Sequence, residues 1–359
     1  MTDLSDSLDF AHGPSWANRL ALAPLTNLQS NVDGSVHDDE YDWLVARARG
    51  GFGMVMTAAA YVEPAGRTFP GQLGISDDDH LPGLRRLAAG LRAGGAVSVI
   101  QLQHGGRRAE TALTGRPVVG VWDDPRRGAT ALTTAGVEQV VQDFVEAAVR
   151  AEKAGFDGAE IHGAHGYLLA QFLDGRNNQR TDRYGGSREN RFRVIHEIVA
   201  GIRAATSADF QLGLRLSPER YGIVLDESRA LAEEVLASGL LDYLDLSLWD
   251  VFKEPHEPGY TGDQLIDLFT DLPRGDTRVG VAGKIFTGAT ARECLSRGAD
   301  FVLIGTAGIL HHDFARRVLS DPGFRAVSHP VPAEHLVAEL VGPRFLEYLS
   351  TNWDDMVAS

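Results

Sequence analysis

Eight short segments with the composition of β-strands alternate with segments of helical spacing along this chain. Apolar side chains recur every three or four residues at 137–148 and 195–202, which predicts two amphipathic helices. Strands that alternate with helices form right-handed βαβ units and a parallel sheet, and eight units close a barrel. We therefore predict a single (β/α)8 TIM barrel domain of the α/β class over 1–359, with strands at 19–23, 54–59, 97–102, 158–162, 211–216, 243–248, 278–282 and 301–304.

An open, doubly wound sheet is the alternative arrangement for the same alternation of strands and helices. Its usual signal, a G-x-G-x-x-G turn after the first strand, is absent from this chain. The segment 107–133, after the third predicted strand, is too long for an ordinary barrel loop and contains two prolines. We predict that it forms a hairpin or lid over the mouth of the barrel.

The composition narrows the kinds of partner and cofactor. A net charge of −15 repels nucleic acid and anionic membranes, although a local basic pocket for a phosphate is compatible with it. The single cysteine, Cys294, excludes an internal disulfide and a cysteine-built iron–sulfur or zinc site. The first ten residues do not resemble a signal peptide, and no stretch approaches the roughly 18 to 20 apolar residues of a membrane span. We expect a cytoplasmic protein with a small-molecule partner.

Reactive side chains follow the predicted strands at the end where barrel enzymes carry their active sites. The loops after the seventh and eighth strands, where barrels commonly hold a phosphate on backbone N–H groups, are rich in glycine. This pattern indicates a phosphorylated cofactor. The candidate residues are Pro24, Leu25 and Thr26 after the first strand, Gln101 and His104 near the end of the third, His162 at the end of the fourth with His165 and Tyr167 after it, Arg215 on the fifth, and Gly283, Lys284, Gly305 and Thr306 after the last two.

Gln101 and Arg215 have the chemistry that a flavin requires along its pyrimidine edge. An amide offers a donor and an acceptor together, and a guanidinium keeps a positive charge that stabilises the anionic reduced flavin. The structural alternative is that Arg215 pairs with an acid at the barrel mouth while Gln101 fills a polar layer.

His162 and His165 are three residues apart, and Tyr167 follows two residues later. The two imidazoles could donate hydrogen bonds to a carbonyl or nitro oxygen, and the tyrosine could act as a general acid. Two alternatives remain open. The histidines could be structural, or they could bind zinc, which requires a third ligand and an open position.

Three further segments are expected to be structural. The charged stretch at 180–191 has the composition of a hydrogen-bonded loop, and His311 and His312 are expected at the surface or at a helix start. The tail carries Trp353 and Met356, which would cap the barrel or contribute to a dimer contact.

The segment IHGAHGYLLAQFLDGRNNQRTDRYGGSRENRFR at 161–193 resembles the most characteristic segment of the Old Yellow Enzyme family. Other parts of the chain agree with that family in order and spacing: NRLALAPLTN, IQLQHGGR, AGFDGAEIHG, LRLS and ADFVLIGT. The resemblance covers nearly the whole chain. It implies an FMN-binding barrel in which NADPH or NADH supplies a hydride that passes to an activated alkene in a ping-pong cycle.

The resemblance also implies roles for individual residues. Pro24, Leu25 and Thr26 would lie along the flavin, with the Thr26 hydroxyl near the C4 carbonyl, and Ala59 would contact the ring. The remaining roles follow the pattern described above: Gln101 and Arg215 at the flavin, His162 and His165 at the substrate oxygen, and Tyr167 as the proton donor.

The chain departs from the family pattern in two places. Relatives usually have glycine and arginine after the eighth strand, where the arginine binds the FMN phosphate, but this chain has Gly305 and Thr306. Lys284 could restore the charge as a point cation without the fork geometry of arginine. Some relatives have an aromatic residue where this chain has Leu28, which leaves the substrate preference open.

Four hypotheses follow from the sequence. The first is an ene-reductase that acts on enones, enals, maleimides or nitroalkenes, and the second is a flavin reductase whose acceptor is a quinone, a nitro compound or oxygen. The third is a barrel that has lost FMN and only binds ligands, and the fourth is a hydrolytic metal site on the histidine pair. The family suggests a dimer or tetramer.

Overall fold

The structure is a computed structural model that describes residues 2–358. Eight parallel strands form a closed barrel, which confirms the predicted fold. Every predicted barrel strand is present, and its ends shift by at most two residues. The strands are β1 (Leu20–Leu22), β2 (Met54–Tyr61), β3 (Val97–Gln103), β4 (Val118–Gly120), β5 (Ala129–Ala131), β6 (Gly158–Gly163), β7 (Gln211–Leu216), β8 (Tyr243–Ser247), β9 (Arg278–Ala282) and β10 (Phe301–Ile304). The order around the barrel is β1, β10, β9, β8, β7, β6, β3 and β2.

Helices alternate with the barrel strands, and their ends have recognisable caps. The Thr133 side chain accepts a hydrogen bond from the Gly136 N–H at the start of α4, and Gly155 ends that helix with φ +87°. Ser187 caps α6 in the same way. The helices are α1 (Asp38–Arg49), α2 (Leu81–Ala93), α3 (Thr111–Thr114), α4 (Thr134–Ala154), α5 (Leu168–Leu173), α6 (Arg188–Ala205), α7 (Leu225–Ala237), α8 (Asp267–Thr270), α9 (Gly288–Ser296), α10 (Thr306–Leu310), α11 (Phe314–Ser320), α12 (Ala333–Ala338) and α13 (Pro343–Asn352).

An aromatic cluster closes the amino-terminal end of the barrel. The Trp16 ring packs edge-on against Phe301 and Tyr243, with centroids 4.8 and 5.6 Å away, at the first residues of β10 and β8. Trp16 itself is completely buried. The N-terminal segment therefore closes this end of the barrel, and ligands must enter at the carboxyl ends of the strands.

The segment 107–133 was predicted as a hairpin or a lid over the barrel mouth, and the hairpin alternative was wrong. It contains a two-stranded sheet of β4 and β5, but the strands run parallel. The chain between them turns back at an antiparallel bridge from Asp124 to Ala129, so it returns to the starting level of β4 before β5 begins. Arg107 anchors the turn through an ion pair of 2.7 Å with Asp124. The role of this segment as a lid stays a prediction, as does the assignment of 1–359 to one domain.

His311 was predicted at the surface or a helix start, but its ring is 3% exposed. It lies between the rings of Phe324 and His335, and its Nε2 accepts a hydrogen bond from the Val327 N–H. His312 is partly exposed, as expected. Packing of the tail around the end of α10 buries His311, and such contacts leave no local pattern in the sequence.

The charged stretch is a hydrogen-bonded scaffold, as predicted. Arg180 pairs with Asp182 and donates to the carbonyls of Val121 and Leu132, which ties the loop after α5 to the 107–133 segment. Helices long and apolar enough to cross a membrane are not found in the part of the chain from residue 2 to residue 358.

Candidate active site

Two adjoining cavities lie at the carboxyl ends of the barrel strands, with volumes of about 480 and 170 Å³. Both are lined by Pro24, Leu25, His165, Tyr167 and Arg215. Except for His104, the structure brings all of the candidate residues to these two cavities. The smaller one adds Thr26, Ala59, Gln101 and His162, and the larger one adds Gly283, Lys284, Gly305 and Thr306.

Four polar side chains on adjacent strands form a layer beneath the cavities, which we call the charge layer: Gln101, Glu160, Arg215 and Asp245. The strand register places Gln101 beside Glu160 and Arg215 beside Asp245. The Gln101 amide donates to Glu160 Oε1 over 2.7 Å, and Arg215 Nε lies 3.0 Å from Asp245 Oδ2. Arg215 therefore pairs with an acid, as the structural alternative expected, and it also lines the cavities, while its role at a flavin stays a prediction.

The carboxyl groups of the charge layer are completely buried. Burial, followed by the charge of Asp245, raises the pKa of Glu160 well above its usual value. Burial also raises the pKa of Asp245 to about 6, while the Arg215 guanidinium opposes the shift. At neutral pH the Arg215 guanidinium thus pairs with the ionised Asp245, while the raised pKa of Glu160 favours the protonated form of the second acid.

The histidine pair has a defined geometry. The imidazole rings of His162 and His165 meet edge to face with centroids 5.1 Å apart, and the Tyr167 ring lies 5.2 Å from His162. The Ala164 N–H donates to His162 Nδ1 over 3.2 Å, so the neutral His162 ring carries its proton on Nε2. His165 Nε2 shares a hydrogen bond of 2.8 Å with the Ser247 hydroxyl.

Both imidazoles are neutral because burial and nearby cations disfavour the charged form. Burial lowers the pKa of His162 well below its usual value, and burial followed by the charges of Arg215 and Arg108 lowers the pKa of His165 to about 3. Burial raises the pKa of Tyr167, while the positive charge of Arg108 opposes this shift. The Tyr167 hydroxyl therefore keeps its proton at neutral pH.

The loops after β9 and β10 line the far end of the larger cavity. Gly283 has φ +152°, and a Cβ there would lie 2.8 Å from the Asp250 nitrogen, so glycine lets two backbone segments approach closely. Lys284 follows with its side chain 67% exposed and its Nζ 3.3 Å from Asp250 Oδ2. This end of the larger cavity thus has two glycine-containing loops, at Gly283 and Gly305, and one cation, Lys284.

Several residues at the cavities were missed by the sequence analysis. Tyr348 and Trp353 on or just after α13 line both cavities, and Arg108, Tyr221, Ser247 and Trp249 line the larger one. We call Arg108, Lys284, Tyr348 and Trp353 the rim. The tail was predicted to cap the barrel or to contribute to a dimer contact, and Trp353 lies at the barrel mouth. Glu160 and Asp245 could have been found from strand alternation, because Glu160 precedes His162 by two residues.

A possible metal cluster lies elsewhere. Within residues 2–358, the side chains that could together hold a metal ion are His311, His335 and Glu339, and this group does not include His162 or His165. Because His311 Nε2 accepts a backbone hydrogen bond, its Nδ1 carries the proton in the neutral ring. That tautomer leaves His311 without a lone pair directed at the cluster.

Comparison with known proteins identifies the family. A family profile described as NADH:flavin oxidoreductase / NADH oxidase family matches residues 14–254. The probable NADH-dependent flavin oxidoreductase YqiG of Bacillus subtilis (strain 168) is 37% identical over 332 residues, covering 89% of this chain and 86% of that protein. The chain belongs to the Old Yellow Enzyme family. It is therefore an NADH/NADPH:flavin oxidoreductase, and its family binds FMN.

Solved structures of Old Yellow Enzyme relatives share its architecture. Morphinone reductase in complex with tetrahydroNAD has a TM-score of 0.79 at 25% identity, over 93% of this chain and 94% of that one. The old yellow enzyme homologue of Zymomonas mobilis has a TM-score of 0.80 at 23% identity, over 97% and 99% of the two chains, which supports the fold. In this Old Yellow Enzyme chain, the Arg215 guanidinium and the glycine-containing loops at Gly283 and Gly305, which line the larger cavity, fit FMN.

Proposed function

We propose that this flavin oxidoreductase reduces the activated double bonds of α,β-unsaturated carbonyl or nitro compounds, with NADPH or NADH as the hydride donor. The observation that carries the proposal is the convergence of His162, His165 and Tyr167, two neutral imidazoles and a protonated phenol, at cavities also lined by Arg215. Two hydrogen-bonding groups and one acid at a single cavity match the needs of conjugate reduction.

The proposed cofactor site uses the residues predicted from the sequence. Gln101 and Arg215 would hold the pyrimidine edge of FMN, Pro24, Leu25, Thr26 and Ala59 would lie along its ring, and Gly283, Lys284, Gly305 and Thr306 would hold its phosphate. FMN held there would supply two-electron hydride transfer between the nicotinamide and the β carbon of the acceptor.

The histidine pair would bind and polarise the acceptor. The His162 Nε2–H is free to donate because the backbone occupies Nδ1, and the Ser247 hydroxyl sets the orientation of the His165 ring. A carbonyl or nitro oxygen placed between the rings gains negative charge during the reaction. Hydrogen bonds to that oxygen therefore strengthen as the β carbon is attacked, which lowers the barrier.

Tyr167 would complete the reaction by protonating the α carbon. Its hydroxyl is protonated at neutral pH, since burial raises its pKa, and its ring is adjacent to His162. The positive charge of Arg108 stabilises the phenolate that remains after proton transfer. Tyr167 acts as general acid for acceptors that form a carbanion, and quinones or oxygen do not need it at that position.

The test is the visible spectrum of the purified protein and of Tyr167→Phe, followed anaerobically with NADPH and then cyclohexenone. Flavin bands should bleach with NADPH and return with the enone. We expect Tyr167→Phe to bleach at the parental rate and to be reoxidised by the enone about 10²–10⁴ times more slowly, the usual contribution of a general acid.

Reoxidation by a quinone serves as the internal control, because it should proceed equally in both proteins. Enone reoxidation at the parental rate in Tyr167→Phe would contradict the role of Tyr167. Reoxidation of the parent by quinone but not by any enone or nitroalkene would favour a different acceptor. Protein that lacks flavin bands even after incubation with FMN would favour a barrel that only binds ligands.

A further inference from the structure

The charged side chains that line the cavities have the opposite sign to the net charge of the protein. The chain has 49 acidic and 34 basic side chains, a net charge of −15. Yet among residues 2–358 the charged side chains that line the two cavities are Arg108, Arg215 and Lys284, with no carboxylate. Cavities whose charged lining residues are all cations concentrate anions at that place within an acidic protein.

The three cations differ in how their charge is balanced. Arg215 is 3.0 Å from Asp245, and Lys284 is 3.3 Å from Asp250. For Arg108 no carboxylate oxygen lies within 4.0 Å among residues 2–358, whereas the neighbouring Arg107 pairs with Asp124 at 2.7 Å. Arg108 is thus the cavity cation whose charge no acidic side chain in the described chain neutralises.

Arg108 is also held in place. Its guanidinium lies 4.9 Å above the centre of the Tyr167 ring, and its Nη1 donates to the His165 carbonyl over 2.5 Å. These two contacts position the side chain beside the groups proposed to bind and protonate the acceptor. The partners of Arg108 are neutral, so its remaining N–H groups can bind a planar anion without breaking an ion pair.

We propose that Arg108 binds a carboxylate on the substrate, so that the preferred acceptors are α,β-unsaturated carbonyl compounds that also carry a carboxylate. This inference rests on the proposed function, since it assigns the substrate class of the same site. The histidine pair would receive the carbonyl oxygen and Arg108 the carboxylate, which fixes the acceptor at two points. Two-point binding also orients the double bond relative to Tyr167.

The experiment measures ligand binding to the oxidised FMN-loaded protein, in which the acceptor cannot be reduced. The probes are 4-oxopent-2-enoate and its neutral primary amide, and the dissociation constant is read from the change in flavin absorption. We expect the parent to bind the acid about tenfold more tightly than the amide, a modest factor because Arg108 is exposed to solvent. Arg108→Leu should remove this preference, and Arg108→Lys should keep part of it.

Arg107→Leu is the matched control, because Arg107 is adjacent in sequence and lies outside both cavities. It should leave the ratio of acid to amide affinity unchanged. Melting temperature and FMN content of each variant establish that it is folded and loaded. If Arg108→Leu leaves the ratio of acid to amide affinity unchanged, the proposal is overturned. This includes the case in which both probes bind equally more weakly, which would make Arg108 a positioning residue for Tyr167.

Turnover separates this inference from the proposed function. If enones are not reduced by the parent but the acid is still bound through Arg108, the proposed function fails and the anion site stands. If Arg108→Leu slows only reduction by NADPH and leaves the acid-to-amide ratio intact, the anion is a phosphate of the hydride donor and the proposal is overturned. Faster parental turnover of the acid than of the amide, lost in Arg108→Leu, supports both.

Discussion

The charge layer and the rim both face the cavities, but they are built in different ways. The charge layer consists of side chains on four adjacent strands, and its members are at most 5% exposed. The rim consists of Arg108, Lys284, Tyr348 and Trp353, which come from two loops and the tail and are all partly or largely exposed. Strand register determines the first region, whereas contacts between distant segments determine the second.

We infer from this difference that the charge layer serves cofactor chemistry and that the rim serves substrate selection. A side chain in the charge layer cannot change its neighbours without shifting the register of the barrel. A rim residue can change with little effect on the fold, because loops and tails tolerate substitution. We therefore expect changes in the charge layer to affect stability and the flavin, and changes in the rim to affect ligands.

The largest effect is expected from Arg215→Met, which leaves Asp245 and Glu160 without their cation. Removing one partner of a buried ion pair destabilises a protein by about 3–5 kcal/mol, and urea unfolding at pH 8 measures this loss. At pH 5 the loss should be smaller, because burial favours the protonated acids. Arg215→Lys is the control that retains a charge. If Arg215→Met were as stable as the parent at pH 8, the charge layer would not affect stability as we expect.

Glu40 provides a pH-dependent test of the support beneath the rim. This buried carboxyl accepts hydrogen bonds from the neutral Ser30 and Asn27 in the loop after β1, and Arg344 of α13 donates to the Ser30 carbonyl. Burial raises the pKa of Glu40 from 4.5 to about 7. A raised acid pKa stabilises the fold fully below pH 4.5, and this contribution is lost as pH rises through about 7.

Between pH 4.5 and about 7, the contribution of Glu40 to the free energy of unfolding falls by roughly 3 kcal/mol. Glu40→Gln should remove that part of the pH dependence. The free energy of unfolding of Glu40→Gln should therefore increase relative to that of the parent as the pH increases from 4.5 to 8. Urea unfolding at several pH values measures the difference. Parallel pH profiles for the two proteins would mean that Glu40 titrates normally.

Trp353→Ala tests the rim directly. The indole lines both cavities, so its loss removes an aromatic surface from bound ligands without disturbing the barrel. We expect KM for an aromatic enone to rise about tenfold at unchanged flavin content, in keeping with the roughly 0.5–1.5 kcal/mol of an aromatic contact. Trp122→Ala, which lies outside both cavities, is the matched control. A loss of bound FMN in Trp353→Ala would assign this residue to the cofactor.

The smallest effect is expected from Lys284→Ala. Its side chain is 67% exposed and already pairs with Asp250, so solvent and that carboxylate both weaken its attraction for a phosphate. The dissociation constant for FMN should rise about two- to fivefold, measured by fluorescence titration of the apoprotein. Binding as tight as in the parent would show that Lys284 does not replace the missing phosphate arginine.

The predictions that succeeded depended on local patterns. Periodicity and strand ends located eight barrel strands, and the residues that follow those strands converged on the cavities because parallel strands present their carboxyl ends together. Gln101, His162 and Arg215 could be found in this way without knowledge of their partners. The barrel and the family resemblance were both predicted from short segments in their order along the chain.

The tertiary structure decided what depends on contacts between distant segments. The parallel pairing of β4 and β5 and the burial of His311 arise from packing that no local periodicity records. Arg108 and Trp353 are 245 residues apart, and the closed barrel brings both to the same cavity. The sequence by itself determined the barrel and its catalytic candidates, because alternation and strand ends are local. Only folding determined the rim, since loops and a tail acquire their positions from the surfaces on which they pack.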